Sequence, residues 1–524
     1  MKKIATLVLA AGLVLSAVTG AQAIDFKAKG QWIMSFDLGE NGKFNSDRGW
    51  NGSEDSFEAK QRVRLQLDAV ASEALSGTVF FEMGDQTWGN GATGGALGAD
   101  GKVVEVKRAY IDWMPPATDL KVRMGIQGVA LPSFTTGSQV LSDDVAGITA
   151  SYKFNDNVGL TALWARPFND NFPGYNNGSD NAFPLLGKDD DYRANYMDNM
   201  DAFALILPLT FDGIKVSPWA MYAAIGPNTF NNGNGRIDPV TGQFFRGNYF
   251  GNFTGANSYF PKAGLTPAGG ERHRDGSSAS TPLGSYMDAW WFGLTGDLSM
   301  FDPFRFAWDF TYGSVHNHDT GRLNRSGWLA SVLFEYKMDW AIPGIVAWYG
   351  SGDDSNPANG SERLPSFGND STNQFSTFAF RGDPYIARDG VMGRSMAGTW
   401  GIGARLKDMS FVEDLKHTFR INYIGGTNAP KMGRKLAENY PANANGIGME
   451  SMYLTTKDQA LEIGVTNTYK MYENFLINLE ADYIALWLND RDYNGVHYAR
   501  VASDRNNNKV KDAWNVNLSF VYSF

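Results

Sequence analysis

Apolar and polar residues alternate at a spacing of two along much of this chain, and this pattern constrains the fold more than any other feature. In the last segment, apolar side chains occupy every second position from Trp514 to Phe524, while Asn515, Asn517 and Ser519 lie between them. A period of two is typical of a β-strand with one apolar and one polar face. The same alternation recurs in segments 57–69, 120–127, 304–312, 461–470 and 475–483.

The first 23 residues have the three parts of an export signal. Lys2 and Lys3 give a positive start, residues 4–20 form an apolar run, and Ala21 to Ala23 form an A-x-A cleavage site. The run is shorter than the about 20 residues that a membrane-spanning helix needs, and no stop-transfer pattern follows it. We therefore expect removal of residues 1–23 and a single mature domain over residues 24–524.

Composition excludes several classes of function. Loss of Lys2 and Lys3 changes the formal charge from −10 to −12, which argues against nucleic acid as a partner. The chain has no cysteine, so disulfides, zinc–thiolate sites and thiol nucleophiles are excluded. A large exported protein without disulfides needs another source of stability. A closed sheet in lipid supplies one, because it pairs every backbone polar group.

Apolar length and aromatic content favour membrane crossing by strands. After the signal, the longest apolar stretch in a candidate spanning segment is 202–209, and it contains a proline. The 15 Trp, 22 Tyr and 34 Phe residues suit strands and the aromatic girdles of membrane barrels. A soluble β-sandwich would also alternate and is the alternative class. Tryptophans near predicted strand ends favour the barrel, and these are Trp32, Trp113, Trp164, Trp340, Trp400 and Trp487.

The predicted fold class is all-β, a transmembrane antiparallel β-barrel of 18 strands, with 16 as the alternative. Connections after odd-numbered strands are long and those after even-numbered strands are short, which is typical of long external loops and short periplasmic turns. An even count places both termini on the periplasmic side. The predicted strands are 25–36, 56–70, 74–86, 102–113, 119–127, 146–154, 157–166, 198–211, 214–225, 287–300, 304–315, 326–337, 343–351, 396–407, 416–425, 458–471, 474–488 and 511–524.

The two ends of the mature chain carry a family resemblance. The chain starts on the alternating segment 25–28, and its last strand ends in the aromatic residue Phe524. In these features it resembles the trimeric outer-membrane porins of Gram-negative bacteria, and in general style it is similar to the homotrimeric porins of sulfate-reducing delta-proteobacteria. The family's motif around the constriction loop is matched only loosely.

This resemblance implies a water-filled channel for passive diffusion of small hydrophilic solutes and ions, with no cofactor. It also implies location in the outer membrane, a homotrimer, and contact with outer-membrane lipid and lipopolysaccharide. Phe524 would be the signal that the barrel assembly machinery recognises. The glycine-rich segment 89–101 is a candidate latch onto a neighbouring subunit.

The polar faces of the early strands supply the candidate pore residues. Inward cations on neighbouring strands would stand on one wall of the lumen, where cavity width and wall charge decide permeation. The resemblance implies acids opposite them on an inward-folded third loop, here about 128–145. The alternative is that the cations lie near the rim and are merely solvated. The predicted constriction residues are Arg62, Arg64, Arg108, Lys121 and Arg123, with Asp143 and Asp144 as the opposing acids.

Metal binding is a secondary hypothesis. His316 and His318 have metal-like spacing, but two histidines without a third ligand are more typical of a solvated loop. The cluster Lys188-Asp189-Asp190-Asp191, and Asp353 with Asp354, could bind Ca²⁺ in external loops, although no EF-hand pattern is present. The sequence therefore predicts no catalytic metal.

Two rival functions remain open. A substrate-specific porin for sugars or organic anions would be supported by aromatic residues along the lumen. An outer-membrane barrel enzyme would need a serine, a histidine and a carboxylate close in space. None of the histidines lies in a recognisable nucleophile motif, and they are His273, His316, His318, His417 and His497.

Overall fold

A computed structural model describes most of residues 24–524. The described residues are 24–40, 55–99, 101, 104–168, 200–225, 236–237, 244–245, 271–272, 278–279, 287–318, 324–356, 359–366, 368–369, 375–380, 385–386, 390–393, 395–432, 453–489 and 512–524. The export signal 1–23, the acidic segment 188–191, His273 and His497 lie outside the described residues.

Eighteen long antiparallel strands form one sheet within this described part of the chain, as the alternation predicts, and the alternative of 16 is wrong. The strands are β1 Asp25–Glu40, β2 Asp55–Ser72, β3 Leu75–Thr87, β4 Val104–Trp113, β5 Leu120–Ala130, β6 Leu141–Lys153, β7 Gly159–Phe168, β8 Met200–Ile206 continued as Leu209–Phe211, β9 Ile214–Ile225, β10 Met287–Phe301, β11 Phe304–Asn317, β12 Arg325–Tyr336, β13 Ile342–Gly350, β14 Thr399–Val412, β15 Leu415–Gly426, β16 Gln459–Tyr472, β17 Phe475–Trp487 and β18 Ala513–Ser523.

The sheet closes on itself. Each long strand pairs with the next, and β18 pairs with β1 from Gln31↔Ser523 to Glu40↔Trp514. Closure leaves the sheet without a first or a last strand, so most backbone groups of the wall are paired within the wall. None of the helices in the described residues has the length and the apolar composition needed to cross a membrane.

The two faces of the wall reverse the usual arrangement of a soluble protein. On β11, Phe306 and Phe310 point outward and are exposed, whereas Ala307 and Asp309 point inward and are buried. Aromatic side chains gather at both ends of the outward face. Trp340 stacks on Phe411 at one end, and Trp328 stacks on Tyr349 at the other. An apolar band between two aromatic belts is the surface that a bilayer requires.

Connection lengths differ between the two ends of the barrel, as predicted. The short turns lie at the same end as both termini, and they are 73–74, 114–119, 154–158, 212–213, 302–303, 337–341, 413–414 and 473–474. The connections at the other end include the long segments 226–286, 351–398 and 427–458. The described residues also contain short strand pairs in the first of these, Arg236–Ile237 with Phe244–Phe245 and Glu271–Arg272 with Ser278–Ala279.

The chain terminus seals the barrel at the short-turn end. Gly30 N donates to Phe524 O at 2.9 Å, and Phe524 N donates to Gly30 O at 3.1 Å. The Phe524 ring lies 5.1 Å from the Trp32 ring, centroid to centroid, and 6.0 Å from that of Tyr522. A Cβ atom at Gly30 would lie 2.5 Å from Arg64 O and 2.6 Å from the Phe524 ring. The seam therefore requires glycine at position 30.

We predict that deletion of Phe524 leaves export intact but lowers the amount of folded barrel several-fold. The deletion removes both the seam hydrogen bonds and the proposed assembly signal. The measurement is the heat-modifiable fraction in outer-membrane preparations, with Phe524→Tyr as the matched control that keeps an aromatic ring. A normal heat-modifiable fraction in the deletion strain contradicts the prediction.

Candidate functional site in the barrel lumen

The hairpin formed by β5 and β6 separates from the wall near the end of the barrel that carries the long connections. β5 runs to residue 130, but its pairing with β4 ends at Ile126. β6 begins at residue 141, but its pairing with β7 is confined to residues from Gly147 onward. The two strands still pair with each other up to Ala130↔Ser142. Residues 127–146, here called the third hairpin, therefore separate from both neighbouring strands.

The tip of the third hairpin crosses the lumen to the wall at β11. The carboxylate of Asp309, which is 8% exposed, accepts hydrogen bonds from Phe134 N at 2.9 Å and Thr135 N at 3.0 Å. Ser133 Oγ donates to the same carboxylate at 2.5 Å. Arg305 Nη2 donates to Phe134 O at 3.3 Å. Because β11 lies five strands from β6 in the barrel order, these bonds hold the tip across the interior.

A second segment enters the lumen, which no pattern in the sequence predicts. We call the described residues between 351 and 398 the lumen insert. Trp291 Nε1 on β10 donates to Pro365 O at 2.9 Å, and Ser366 Oγ donates to Val140 O of the third hairpin at 3.1 Å. Its short strand Gly368–Asn369 pairs in parallel with Leu141 and Ser142. The insert thus occupies the edge of β6 that β7 leaves unpaired.

Burial separates two parts of the inner wall. Inward side chains of β8 to β18 are largely buried under the inserted segments, as at Met221, Ala289 and Leu333, each 0% exposed. Inward side chains of β2 to β5 are only partly covered: the side chain of Arg64 is 27% exposed and that of Lys121 is 53% exposed. The open part of the lumen therefore runs along β2 to β5.

The predicted cations Arg62 and Arg64 lie on this open wall and pair with acids of the next strand. Arg62 Nε and Nη2 donate to the two carboxylate oxygens of Asp85 at 2.6 and 2.7 Å. Arg64 Nε donates to Glu82 Oε2 at 2.7 Å. Two parallel N–H···O bonds to one carboxylate fix a guanidinium in orientation as well as position. These cations are thus held against β3 by its acids.

Lys121 and Arg123 lie on the same wall, nearer the short-turn end of the barrel. Arg123 Nε and Nη2 donate to Asp112 on β4 at 2.7 and 2.8 Å, and Lys121 Nζ lies 3.7 Å from the same carboxylate. The Arg123 guanidinium also lies 4.1 Å from the centroid of the Tyr110 ring. Cation and acid again lie on adjacent strands, so the wall carries alternating charges along its length.

Arg108 is the predicted cation that meets an acid of the third hairpin. Arg108 Nε donates to Asp144 Oδ1 at 2.5 Å. Lys107, which the sequence analysis did not single out, lies 3.2 Å from Asp144 Oδ2. Arg108 also lies over the ring of Phe80, 5.7 Å from its centroid. The cations of β4 thus bridge to the hairpin where backbone pairing between β4 and β5 has ended.

The predicted loop 128–145 differs from the structure in its bounds. The connection is residues 131–140, and Asp143 and Asp144 lie on β6. Asp144 pairs with Arg108 and Lys107 of the adjacent wall, and Asp143 Oδ1 accepts from Asp144 N at 2.7 Å. Two consecutive acids interrupt the apolar alternation, so the sequence placed the start of this strand at 146.

The sequence-based predictions did not include two features, the acids of the wall and the lumen insert, and the reasons differ. Glu82 and Asp112 lie on polar faces of strands, so the same alternation that identified the cations could have identified them. The lumen insert has no period, because its backbone follows no regular element for more than two residues. No local pattern could have found it.

The candidate metal ligands have other partners. Asp353, predicted as an external-loop calcium ligand, is buried and accepts from Ser361 Oγ at 2.6 Å and Tyr453 Oη at 3.0 Å. Asp354 Oδ2 accepts from Asn359 Nδ2 at 2.9 Å. Within the part of the chain that the structure describes, no three histidine or acidic side chains form a metal-binding group.

The described histidines make ordinary polar contacts. His318 Nε2 lies 2.8 Å from Asp288 Oδ2, and the His316 and His318 rings are 4.8 Å apart. His417 Nδ1 lies 2.6 Å from Asn467 Oδ1. These contacts occupy one ring nitrogen of His318 and one of His417 in the wall.

No protein-family model and no curated protein matches the chain. Among solved structures, it is similar to OpdQ of Pseudomonas aeruginosa at 11% identity, with a TM-score of 0.47 over 95% of this chain and 98% of that one. It is similar to a BenF-like porin from Pseudomonas fluorescens at 10% identity, with a TM-score of 0.48 over 95% and 99% of the two chains. It is similar to the trimer form of OmpT, an outer membrane protein of Vibrio cholerae, at 9% identity, with a TM-score of 0.37 over 96% and 100%.

We predict that Asp309→Ala destabilises the barrel, because the substitution leaves the N–H groups of Phe134 and Thr135 without their acceptor. The expected cost is roughly 1–3 kcal/mol for each donor left unsatisfied. The measurement is the temperature at which the heat-modifiable form converts to the unfolded form. The control is Asp339→Ala, an exposed carboxylate in the short turn 337–341, and equal conversion temperatures for the two variants contradict the prediction.

Proposed function

We propose that this protein is a channel of the Gram-negative outer membrane through which small hydrophilic solutes and ions diffuse passively. The observation that carries the proposal is a closed barrel with an apolar outward band between aromatic belts and a charged, partly open inner wall along β2 to β5. Such a wall holds water, since its charged side chains remain partly exposed inside the barrel.

The permeation path follows the open wall and is narrowed by two segments. The third hairpin crosses from β5 and β6 to β11, and the lumen insert covers the inner faces of the later strands. A solute therefore passes close to the paired charges of β2 to β5. Charges at this distance act with little screening, whereas charges beyond a Debye length of about 8 Å at physiological salt contribute little.

The second candidate function is a channel specific for organic anions, one of the two solute classes considered for a substrate-specific porin. The observation that favours it is a set of guanidinium groups over inward aromatic rings, Arg108 over Phe80 and Arg123 over Tyr110. An anion with an apolar body would contact both kinds of group. Aromatic rings also suit sugars, so transport rates for an organic anion and a sugar of equal size separate these cases.

The direct test is reconstitution of the mature protein in planar bilayers and in liposomes. Discrete conductance steps, together with swelling in small sugars that falls as sugar size rises, support a diffusion channel. A folded, heat-modifiable barrel that gives neither conductance nor swelling overturns the proposal. A conductance that one organic anion blocks at low concentration supports the second candidate.

The paired wall charges lead to a prediction about ion preference. We expect Arg64→Ala combined with Arg123→Ala to raise conductance and to increase the cation-to-anion permeability ratio several-fold, because Glu82 and Asp112 each lose the arginine that donates to them. The measurement is the reversal potential in a low-salt gradient. Lys153→Ala combined with Lys337→Ala removes the same charge at the short-turn end and is the matched control. A double arginine variant that equals wild type in both quantities places these residues outside the narrow path.

We further propose that the barrel assembles as a homotrimer in contact with outer-membrane lipid and lipopolysaccharide, after insertion by the barrel assembly machinery. Departure of the third hairpin leaves the upper part of β4 without a strand neighbour on one side. The glycine-rich segment 89–101 is the candidate latch, and its Leu97 is fully exposed.

We predict that Leu97→Asp weakens association of subunits and leaves each barrel folded. The reason is that a carboxylate is costly to bury in an apolar contact. Detergent-corrected light scattering measures the mass of wild type and variant, with Thr118→Asp on a short turn as the control. A wild-type protein that is monomeric in this measurement overturns the trimer.

A further inference from the structure

One buried carboxylate of the wall accepts several hydrogen bonds from a short part of the lumen insert. We call residues 375–380 the insert tip. Glu462 Oε1, on the inward face of β16, accepts from Phe378 N at 2.9 Å, Ala379 N at 2.8 Å and Ser376 Oγ at 3.0 Å. The other oxygen, Oε2, accepts from Asn422 Nδ2 at 2.8 Å. Glu462 is 1% exposed, so these bonds form away from water.

Further contacts hold the insert tip flat against β14 to β17. Asn422 Nδ2 donates to Phe375 O at 2.7 Å, and Thr377 Oγ1 donates to Asp482 Oδ1 at 3.1 Å. The Arg405 guanidinium lies 4.3 Å from the centroid of the Phe375 ring. In the closed barrel, β18 and β1 separate this face of the lumen from the open wall of β2 to β5. In this position the tip stays out of the permeation path.

Glu462 differs from another buried acid of the lumen, Glu335 on β12, in what it binds. Glu335 accepts from Arg305 Nη1 at 2.6 Å and from Arg405 Nη2 at 2.5 Å, both of which belong to the wall. Glu462 instead accepts three donors of the insert on a single oxygen. Hydrogen bonds to an ionised acceptor in a buried site are stronger than neutral ones. Loss of this one side chain therefore acts mainly on the position of the insert.

We propose that Glu462 is a latch that holds the insert tip against the β14 to β17 wall and so keeps the path along β2 to β5 steadily open. The proposal rests on the channel function proposed above. Without the latch, the insert stays tethered to β13, to β14 and to the third hairpin, but its tip can leave the wall. The tip then enters the open path and closes it repeatedly.

The test is single-channel recording of Glu462→Ala. We expect brief closures, with the ratio of closed to open time raised about tenfold or more, since hydrogen bonds to a charged group shift an equilibrium by at least that factor. Glu335→Ala is the matched control, because it removes a buried lumen carboxylate away from the open path whose hydrogen-bond donors Arg305 and Arg405 belong to the wall. It leaves the closure ratio at the wild-type value.

A reversible tether separates release of the tip from general damage. The chain has no cysteine, so Thr377→Cys with Gly464→Cys introduces a single pair. A Cβ atom at 464 would lie 3.6 Å from Thr377 Oγ1, which is compatible with a disulfide once the Asp482 side chain shifts. In the Glu462→Ala background, the oxidised pair should restore a steady trace and reduction should bring the closures back. Each single cysteine variant should show no response to oxidation.

The outcomes are distinct. A heat-modifiable Glu462→Ala barrel with a wild-type trace overturns the latch, as do closures that persist after the disulfide has formed. A wild-type protein without any conductance overturns the channel function instead. If Glu462→Ala does not assemble, Ser376→Ala combined with Ala379→Pro removes two of the three insert donors and is judged by the same two criteria.

Discussion

The rest of the structure depends on the need to pair every backbone polar group of a wall whose outer face is apolar. An open sheet would present unpaired N–H and C=O groups at its two edges, and hydrocarbon offers them no partner. Pairing of β18 with β1 removes both edges, and the chain terminus completes the seam against Gly30. Once the wall is closed, alternation at a period of two sends apolar side chains outward and polar ones into the lumen.

The same requirement explains how irregular backbone is held inside the barrel. The tip of the third hairpin and the insert tip are not part of the wall ladder, so their N–H groups need other acceptors. Buried carboxylates on inward positions provide them: Asp309 accepts from the hairpin, and Glu462 accepts from the insert. Asp353 has a similar role at the base of the insert, where its carboxylate accepts from Glu362 N at 3.1 Å. Acids that would be costly to bury alone thus become anchor points.

Local pairing of charges decides the character of the open wall. The chain has a formal net charge of −10, but the cations nearest the path are set against acids on adjacent strands. A solute in the lumen meets neighbouring fields of both signs within a few ångströms of the wall. Such a surface suits hydrated solutes of either charge. Its preference for cations or anions depends on which member of each ion pair reaches further into the water.

Alternation in the sequence by itself determined the strand count, the barrel, the connection pattern and the inward placement of cations such as Arg64 and Arg123. These properties follow from a period of two, which any short window of sequence reveals. Only the tertiary structure decided that Arg64 pairs with Glu82, that Asp144 lies on β6 beside Arg108, and that a second segment fills much of the lumen. Those features depend on strand register and on contacts between residues far apart in the chain, such as Ala379 and Glu462. Irregular backbone also produces no periodic pattern in the sequence, so the sequence alone could not predict them.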